Sequence, residues 1–340
     1  MAQLGGLKSR TLQRMAFLTG LPSTGTKAEL ATTLRSGLPQ SRLLAQPSRI
    51  LSIDMGIRNL AYCVLDLASL QSTSAPAPLT TSLRVREWRR LDLLGRLVPE
   101  SAAKTDRKGG ADNSISRKLP ANAFTPSVMS KVAYGITTEL LEYKPTTILI
   151  ERQRFRSGGG SAIQEWTLRV NMLEGMLWAC LQAHNAVNVS TKDYLAPSLH
   201  EVSPAMVAKF WTAGTDKELR TTSQLLQNDA NGTNTMTGNA ARSVDKKAKI
   251  AVARGWLKGE GDVSLQLQPE VKSVVDAFTT ARRSSTRKKG AEDSEAESSD
   301  VGKLDDLADC LLQGAAWVRW EENRRAIVKL MKDGDYDLSP

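Results

Sequence analysis

Histidine and cysteine are scarce in this chain. Two histidines, His184 and His200, stand in 340 residues, too few for a histidine-rich metal site and poor support for a His-based catalytic triad. The three cysteines, Cys63, Cys180 and Cys310, lie far apart among apolar neighbours. They have neither metal-ligand spacing nor an even-numbered disulfide framework, which points to a reducing compartment. No run of about 18 apolar residues exists, so a transmembrane helix and a membrane partner are excluded. Acids are missing from residues 1–28, which carry Lys8, Arg10, Arg14 and Lys27 instead. What the chain has in excess is positive charge. Its 46 Lys+Arg against 36 Asp+Glu leave a net charge of +10, which favours a polyanionic partner, nucleic acid first.

The length allows one large domain and a small module. Residues 1–40 read as the module, a helical hairpin. Leu12–Leu18 is a short helix stopped by Gly20, Pro22 to Gly25 supply a turn, and Thr26 with Glu29 forms a capping box that starts a second helix. The stretch from Gly20 to Leu30, with Leu34, resembles a SAP motif, found on many DNA-processing proteins. It departs at Thr33, where a basic residue is usual. The resemblance implies phosphate contacts, with Lys27 at the start of the second helix; a capped hairpin without a ligand is the plainer reading. The acid-free composition also suits a mitochondrial presequence. Cleavage inside it would destroy the hairpin, so either the address is retained or one of the two readings fails.

Residues 41–48 form a Pro/Ser-containing linker and 49–335 the main domain. Arg49–Asp54, Leu60–Leu65 and Leu83–Trp88 read as three strands, with a turn at Gly56–Asn59. Val128, Val132, Ile136, Leu140 and Leu141 give a helical stripe ending before Pro145. Thr146–Glu151 is a fourth strand. A long helix after Gly158–Gly160 carries Ile163, Trp166, Val170, Leu173, Met176, Leu177 and Leu181, and Val187–Ser190 reads as a fifth strand. The last helix runs from about Leu304 to Met331. Polar, weakly apolar segments near 95–122, 212–245 and 282–302 read as flexible insertions. The order of elements implies an α/β domain with a mixed sheet.

Acids stand where acids are costly. Asp54 and Glu151 each end an apolar strand, and burying a carboxylate without a partner is expensive. Adjacent parallel strands would bring these two within reach of one ligand. On the last helix Asp305 and Asp309 are i,i+4 and Asp306 and Asp309 i,i+3, so one face gathers like charges. Taken singly, Asp54 could accept turn hydrogen bonds and the aspartates could answer a helix dipole. Together, oxygen-only ligands without histidine suit two Mg²⁺ ions, for which Mn²⁺ can substitute. Such a pair can hydrolyse a phosphodiester.

The segments Ile53–Ala61, Ile150–Gln153 and Asp305–Asp309 resemble the fungal mitochondrial Holliday junction resolvases, relatives of bacterial RuvC. The resemblance spans about residues 49–330. It implies an RNase H-like mixed β-sheet flanked by helices, whose sheet begins with three antiparallel strands. It also implies a homodimer acting on four-way junction DNA, with no small-molecule substrate. Matched residue by residue, Asp54, Glu151 and Asp309 correspond to the metal-binding catalytic acids. The fourth is Asp306 or Asp305, and RuvC-like i,i+3 spacing ranks Asp306 first. Arg152, Arg154 and Arg156 around Phe155 could grip phosphates and wedge an opened base step. Lys246, Lys247 and Lys249 resemble the resolvases' basic helix, expected near the scissile and neighbouring phosphates. The stripe through Trp166, Met172, Met176 and Trp178 could be a dimer face or simply core.

Two other classes compete. An actin-like kinase or ATPase also opens with Asp-x-Gly on a strand, but needs a second glycine-rich phosphate loop after an Asp, and the sequence has none. A non-catalytic SAP-type DNA-binding protein would need none of the acids. An RNase H-like enzyme on RNA–DNA hybrids or linear DNA is a third reading.

Overall fold

Strand formation follows the apolar runs. In the computed structural model, which describes residues 2–39, 48–67, 80–97, 122–153, 165–188, 196–212, 246–280, 293–333 and 336–337, the strands β2 (Arg49–Asp54), β3 (Leu60–Leu67) and β4 (Thr81–Leu91) form an antiparallel meander. Strand β5 (Thr147–Glu151) pairs in parallel with β2, and β6 (Ser198–Val202) in parallel with β5. On the other edge β7 (Val263–Leu267) runs parallel to β4. The six-stranded order is β6-β5-β2-β3-β4-β7. This is the mixed sheet with three leading antiparallel strands that the resemblance implies. Two short strands, β1 (Ala2–Gln3) and β8 (Tyr336–Asp337), pair separately.

Each face of the sheet has its own core. Helices α3 (Pro126–Leu141) and α4 (Glu165–Asn188) cover one face, burying Val132, Ile136, Leu173 and Leu177 against Leu51, Ile53, Ile148 and Ile150. The opposite face meets α8 (Asp293–Asp333), flanked by α5 (Pro204–Thr212), α6 (Lys246–Leu257) and α7 (Lys272–Thr280). Gly314 marks the closest approach of α8: a Cβ there would lie 2.5 Å from Leu65 Cδ1 and 3.4 Å from Ser52 Cβ. No helix among the described residues is long and apolar enough to cross a membrane.

The N-terminal hairpin consists of α1 (Ser9–Leu18) and α2 (Lys27–Gly37), with the capping box formed by Thr26 and Glu29. It does not stand apart. Leu4, Leu12, Leu18, Leu30 and Leu34 are buried in the same core as α8 and the sheet. Phe17 packs against Phe210, whose ring in turn meets Trp320. Asn323 Nδ2 donates to Leu18 O at 2.9 Å and Arg324 Nη2 to Thr19 O at 2.9 Å. The acid-free stretch therefore supplies core residues. Of the linker read at 41–48, only Ser48 is among the described residues.

Two expectations are corrected and one strand is added. Val187 and Asn188 are the last residues of α4, not part of a fifth strand, and Val189 and Ser190 lie outside the described residues. The strand is instead β6, whose edge position buries only Val202, so its sequence carries almost no apolar signature. Strand β7 has no counterpart among the expected elements, although Val263-Ser264-Leu265-Gln266-Leu267 does alternate. The last helix begins at Asp293, inside the segment read as a flexible insertion at 282–302; residues 281–292 lie outside the described residues. So do residues 98–121 and 213–245, which hold most of the other two insertions.

Gly20 gives a direct check on the docked hairpin. Its φ of +66° is left-handed, and a Cβ would lie 2.3 Å from Trp320 Cδ2. Gly20→Ala should cost about 2–4 kcal/mol from backbone strain plus overpacking. Gly5→Ala, with nothing within 4 Å, should change stability by no more than about 0.5 kcal/mol. Thermal unfolding of the two variants measures the difference.

Candidate active site

Strand pairing brings the first two acids together. In the parallel register Ile53 faces Ile150, so Asp54 and Glu151 follow as neighbours on adjacent strands, about 4.8 Å apart in the backbone. Side chains alternate along a strand, so Asp54 shares a face with Ile50, and Glu151 with Leu149. Ile50 and Leu149 belong to the core beneath α8. The carboxyl groups of Asp54 and Glu151 stand close enough to act on each other directly. Asp54 is buried. Burial first, then the Glu151 charge, raises its pKa well above the usual carboxylate range.

Helix α8 supplies the rest. Trp88 on β4 donates its indole Nε1–H to Leu307 O at 2.9 Å, fixing the helix between its aspartates. Asp309 is pushed up to about 7, mainly by burial, with Asp305 and Glu151 adding to the rise and Lys249 opposing it. Asp306 is raised to about 6 by burial and by Asp305, against Lys246, Arg90 and Lys249. Both aspartates act on Asp54 in turn, so four carboxyl groups from β2, β5 and α8 share one field.

The geometry separates Asp305 from Asp306. Asp305 turns to α6, where Lys246 Nζ lies 3.0 Å and Lys249 Nζ 3.1 Å from its carboxylate. Lys249 also reaches Asp309 at 2.5 Å. Burial works against the Lys249 charge, but Asp309 and Asp305 outweigh it and raise the Lys249 pKa. Asp306 Oδ2 is buried with no hydrogen-bond partner among the described residues. A pocket with crowded carboxyl groups, an orphaned carboxylate oxygen and a lysine drawn onto one of its acids is short of positive charge. Its hard oxygen donors fit Mg²⁺ or Mn²⁺. As they stand, no three acidic, histidine or cysteine side chains among the described residues converge closely enough to enclose an ion.

The remaining expected residues are scattered around this pocket. Lys247 is exposed on the first turn of α6. Arg152 follows Glu151, with its backbone N–H donating to Val202 O at 2.9 Å and its side chain 3.7 Å from Glu201. Arg154, Phe155 and Arg156 lie outside the described residues. Lys27 is exposed on the hairpin, which docks near Trp320, roughly 17 Å along α8 from Asp309. The structure therefore does not bring Lys27 to the acids. On α4, Leu173 and Leu177 belong to the protein's own core, Met172, Met176 and Trp178 are half-buried against it, and Trp166 is 38% exposed.

Three residues at the site are given no role by the sequence. Arg90 aligns across the sheet with Ala61 and Asp54, two strand spacings or about 9.6 Å away. Its Nη1 donates to Asn59 Oδ1 at 2.7 Å, and its charge reaches Asp306. Glu174 on α4 accepts a hydrogen bond from the Gln153 backbone, and burial with the nearby Glu151 charge raises its pKa. Arg58, in the turn after Asp54, stands over the Trp166 ring at 5.6 Å. Only knowledge of strand register would have singled out Arg90.

Carboxyl groups with raised pKa bind protons more tightly folded than unfolded. They destabilise the fold at high pH, and stability is regained as pH falls through about 7 and about 6, where Asp309 and Asp306 take up protons. With divalent ions chelated, Asp54→Asn should raise the Tm at pH 8 by a few degrees, roughly the effect of 1–2 kcal/mol. That advantage should shrink by pH 5.5. Thermal unfolding across this pH range checks both.

Residues 50–327 match the family described as mitochondrial resolvase Ydc2 / RNA splicing MRS1. The chain is 28% identical over 320 residues to "Cruciform cutting endonuclease 1, mitochondrial" of Schizosaccharomyces pombe, covering 93% of each. It is 24% identical over 341 residues to the Saccharomyces cerevisiae protein of the same name, covering 95% of this chain and 85% of that one. The crystal structure of the yeast mitochondrial Holliday junction resolvase Ydc2 superposes with a TM-score of 0.55 at 25% identity, covering 96% of this chain and 98% of that one. With acids, basic helix and sheet order in place and the match spanning the whole nuclease-like domain, the chain belongs to the family of the mitochondrial resolvase Ydc2 and the RNA-splicing protein MRS1.

Proposed function

We propose that this protein is a mitochondrial endonuclease that resolves four-way DNA junctions in mitochondrial DNA recombination by paired, Mg²⁺-dependent phosphodiester hydrolysis. One observation carries the reading: four carboxyl groups from β2, β5 and α8 share a half-buried pocket with a lysine-bearing helix against it. The family description also spans an RNA-splicing protein. Binding RNA for splicing calls for cations, whereas crowded carboxylates repel a phosphate backbone and gain only by holding metal. The acids therefore weigh for hydrolysis.

Asp54, Glu151, Asp306 and Asp309 would hold the two ions, and Mn²⁺ could substitute. When bound, such ions supply Lewis-acid charge to the phosphodiester and lower the pKa of an attacking water. Asp305 has a different part: it anchors Lys246 and Lys249, keeping α6 against α8. Lys249 holds Asp309 in the pocket. Lys246, at the exposed start of α6, and Arg90, pinned by Asn59, flank the acids and offer positive charge to phosphates beside the cut. Arg152 follows Glu151 directly in the chain, Arg58 lies in the turn after Asp54, and Lys247 is exposed beside Lys246 on α6, each a further candidate for phosphate contact.

A four-way junction has two-fold symmetry, and two related strands must be cut. A two-fold homodimer supplies two equivalent sites. Sedimentation equilibrium of the full chain should give twice the chain mass; a monomer that still makes paired nicks would remove the argument.

The deciding assay compares a four-way junction with linear duplex of the same sequence in Mg²⁺. Symmetric paired nicks on the junction alone are expected, and equal cutting of both substrates would make this a general nuclease. Asp54→Asn and Glu151→Gln should each lower cleavage by about a thousandfold or more, the loss of some 4 kcal/mol of charge stabilisation. Junction binding should survive in a gel-shift assay, since removing acids does not weaken attraction to phosphate. Asp306→Asn should match them, while Asp305→Asn should retain more activity.

A further inference from the structure

We infer that Gln313 is the positioning residue of the acid pocket: its buried amide locks α8 to β2 and β5 at the one rotation and height that places Asp309 beside Asp54 and Glu151. Its Nε2 lies 3.1 Å from Ser52 Oγ, 3.2 Å from Ile53 O and 3.4 Å from Leu149 O. Two of these are carbonyl oxygens, which only accept, so the amide nitrogen must face them. Its two hydrogens are shared among three acceptors on two strands. Among the described residues of α8, Gln313 thus ties the helix to both acid-bearing strands at once.

The levels correspond. Ser52 and Leu149 are partners in the parallel register, and each stands two residues before its acid, Asp54 or Glu151. Two strand residues rise about 6.6 Å and keep the same face. Gln313 stands four residues after Asp309, about 6 Å along a helix and again on the same face. Fixing Gln313 at the level of Ser52 and Leu149 therefore fixes Asp309 at the level of Asp54 and Glu151. Gly314 beside it allows the approach, since a Cβ would meet Leu65 and Ser52. A slip of one residue along the helix would move Asp309 by about 1.5 Å and rotate it by about 100°. Either change takes it out of reach of a shared ion, for which sub-ångström placement counts.

This inference rests on the proposed metal-dependent reading, and the test separates the two. Full-length Gln313→Met keeps the side-chain length and removes the donor. Mn²⁺ binding, read as loss of the free-ion signal in electron paramagnetic resonance, should weaken about tenfold or more, the usual effect of removing a group that orients a ligand. Affinity for the four-way junction without metal should be unchanged. Ser52→Ala, the gentler variant should Gln313→Met fail to fold, should weaken Mn²⁺ binding about threefold, the loss of one modest hydrogen bond. Asn323→Leu removes another buried amide of α8, the one that bonds Leu18 O, and should lower the Tm while leaving Mn²⁺ affinity as it was. Wild-type Mn²⁺ affinity in both Gln313→Met and Ser52→Ala overturns the positioning role alone. Failure of the wild-type protein to bind Mn²⁺ or to cut in Mg²⁺ overturns the reading beneath it.

Discussion

Everything at the site depends on holding like charges together. Asp54, Glu151, Asp306 and Asp309 crowd like charges together, and burial adds to the cost of charging Asp54, Asp306 and Asp309. Nothing in the carboxylates themselves would keep them there. The work falls to the parallel pairing of β2 with β5 and to the seating of α8 on the sheet. Lys249 offsets part of the repulsion by lying between Asp305 and Asp309. The fold thus builds a pocket that is strained electrostatically and rigid sterically, a combination that favours an incoming cation.

Helix α8 is the element that makes this possible. One stretch of it carries three aspartates; further along it meets the N-terminal hairpin. Between Arg319 and Arg324 it buries charged and polar groups almost completely. Arg319 Nη2 donates to Asp262 O at 3.0 Å, Thr81 Oγ1 donates to Glu322 at 2.7 Å, and Glu321 pairs with Arg324 at 2.9 Å. Buried ion pairs contribute little net stability, but their directional bonds tolerate only one helix rotation. The hairpin closes over this knot through Leu18 and Thr19. Its place in the molecule is thereby structural as well as electrostatic, with its basic residues set well away from the acids.

The charge distribution fits the substrate class. A chain of net charge +10 gathers four acids in one pocket and sets Arg90, Lys246 and Lys249 against them. Long-range attraction to a polyanion and a local demand for cations then coexist, because the two act over different distances.

Much was legible in the sequence. Asp54 and Glu151 stood out because each ends an apolar strand whose interior is buried whatever its neighbours, and the Thr26–Glu29 capping box was a local signal that needed no context. The βββαβα order and the aspartate cluster were local as well. What is settled between distant segments was not legible. Asp305 and Asp306 are adjacent, and their separation into a lysine anchor and an orphaned carboxylate depends on the rotation of α8, which is held by the bond from Trp88 on β4 to Leu307 and by that from Gln313 to Ser52 on β2. Strand β6 was hidden because an edge strand with one buried residue resembles a loop, while the exposed Val187 resembled a strand. Arg90 needed the register of β3 with β4. Local composition and periodicity determined which residues could do chemistry, because burial and charge leave their mark within a few positions. Tertiary structure alone decided which of them meet, because that depends on register, rotation and approach between segments as far apart in sequence as those of Ser52 and Gln313.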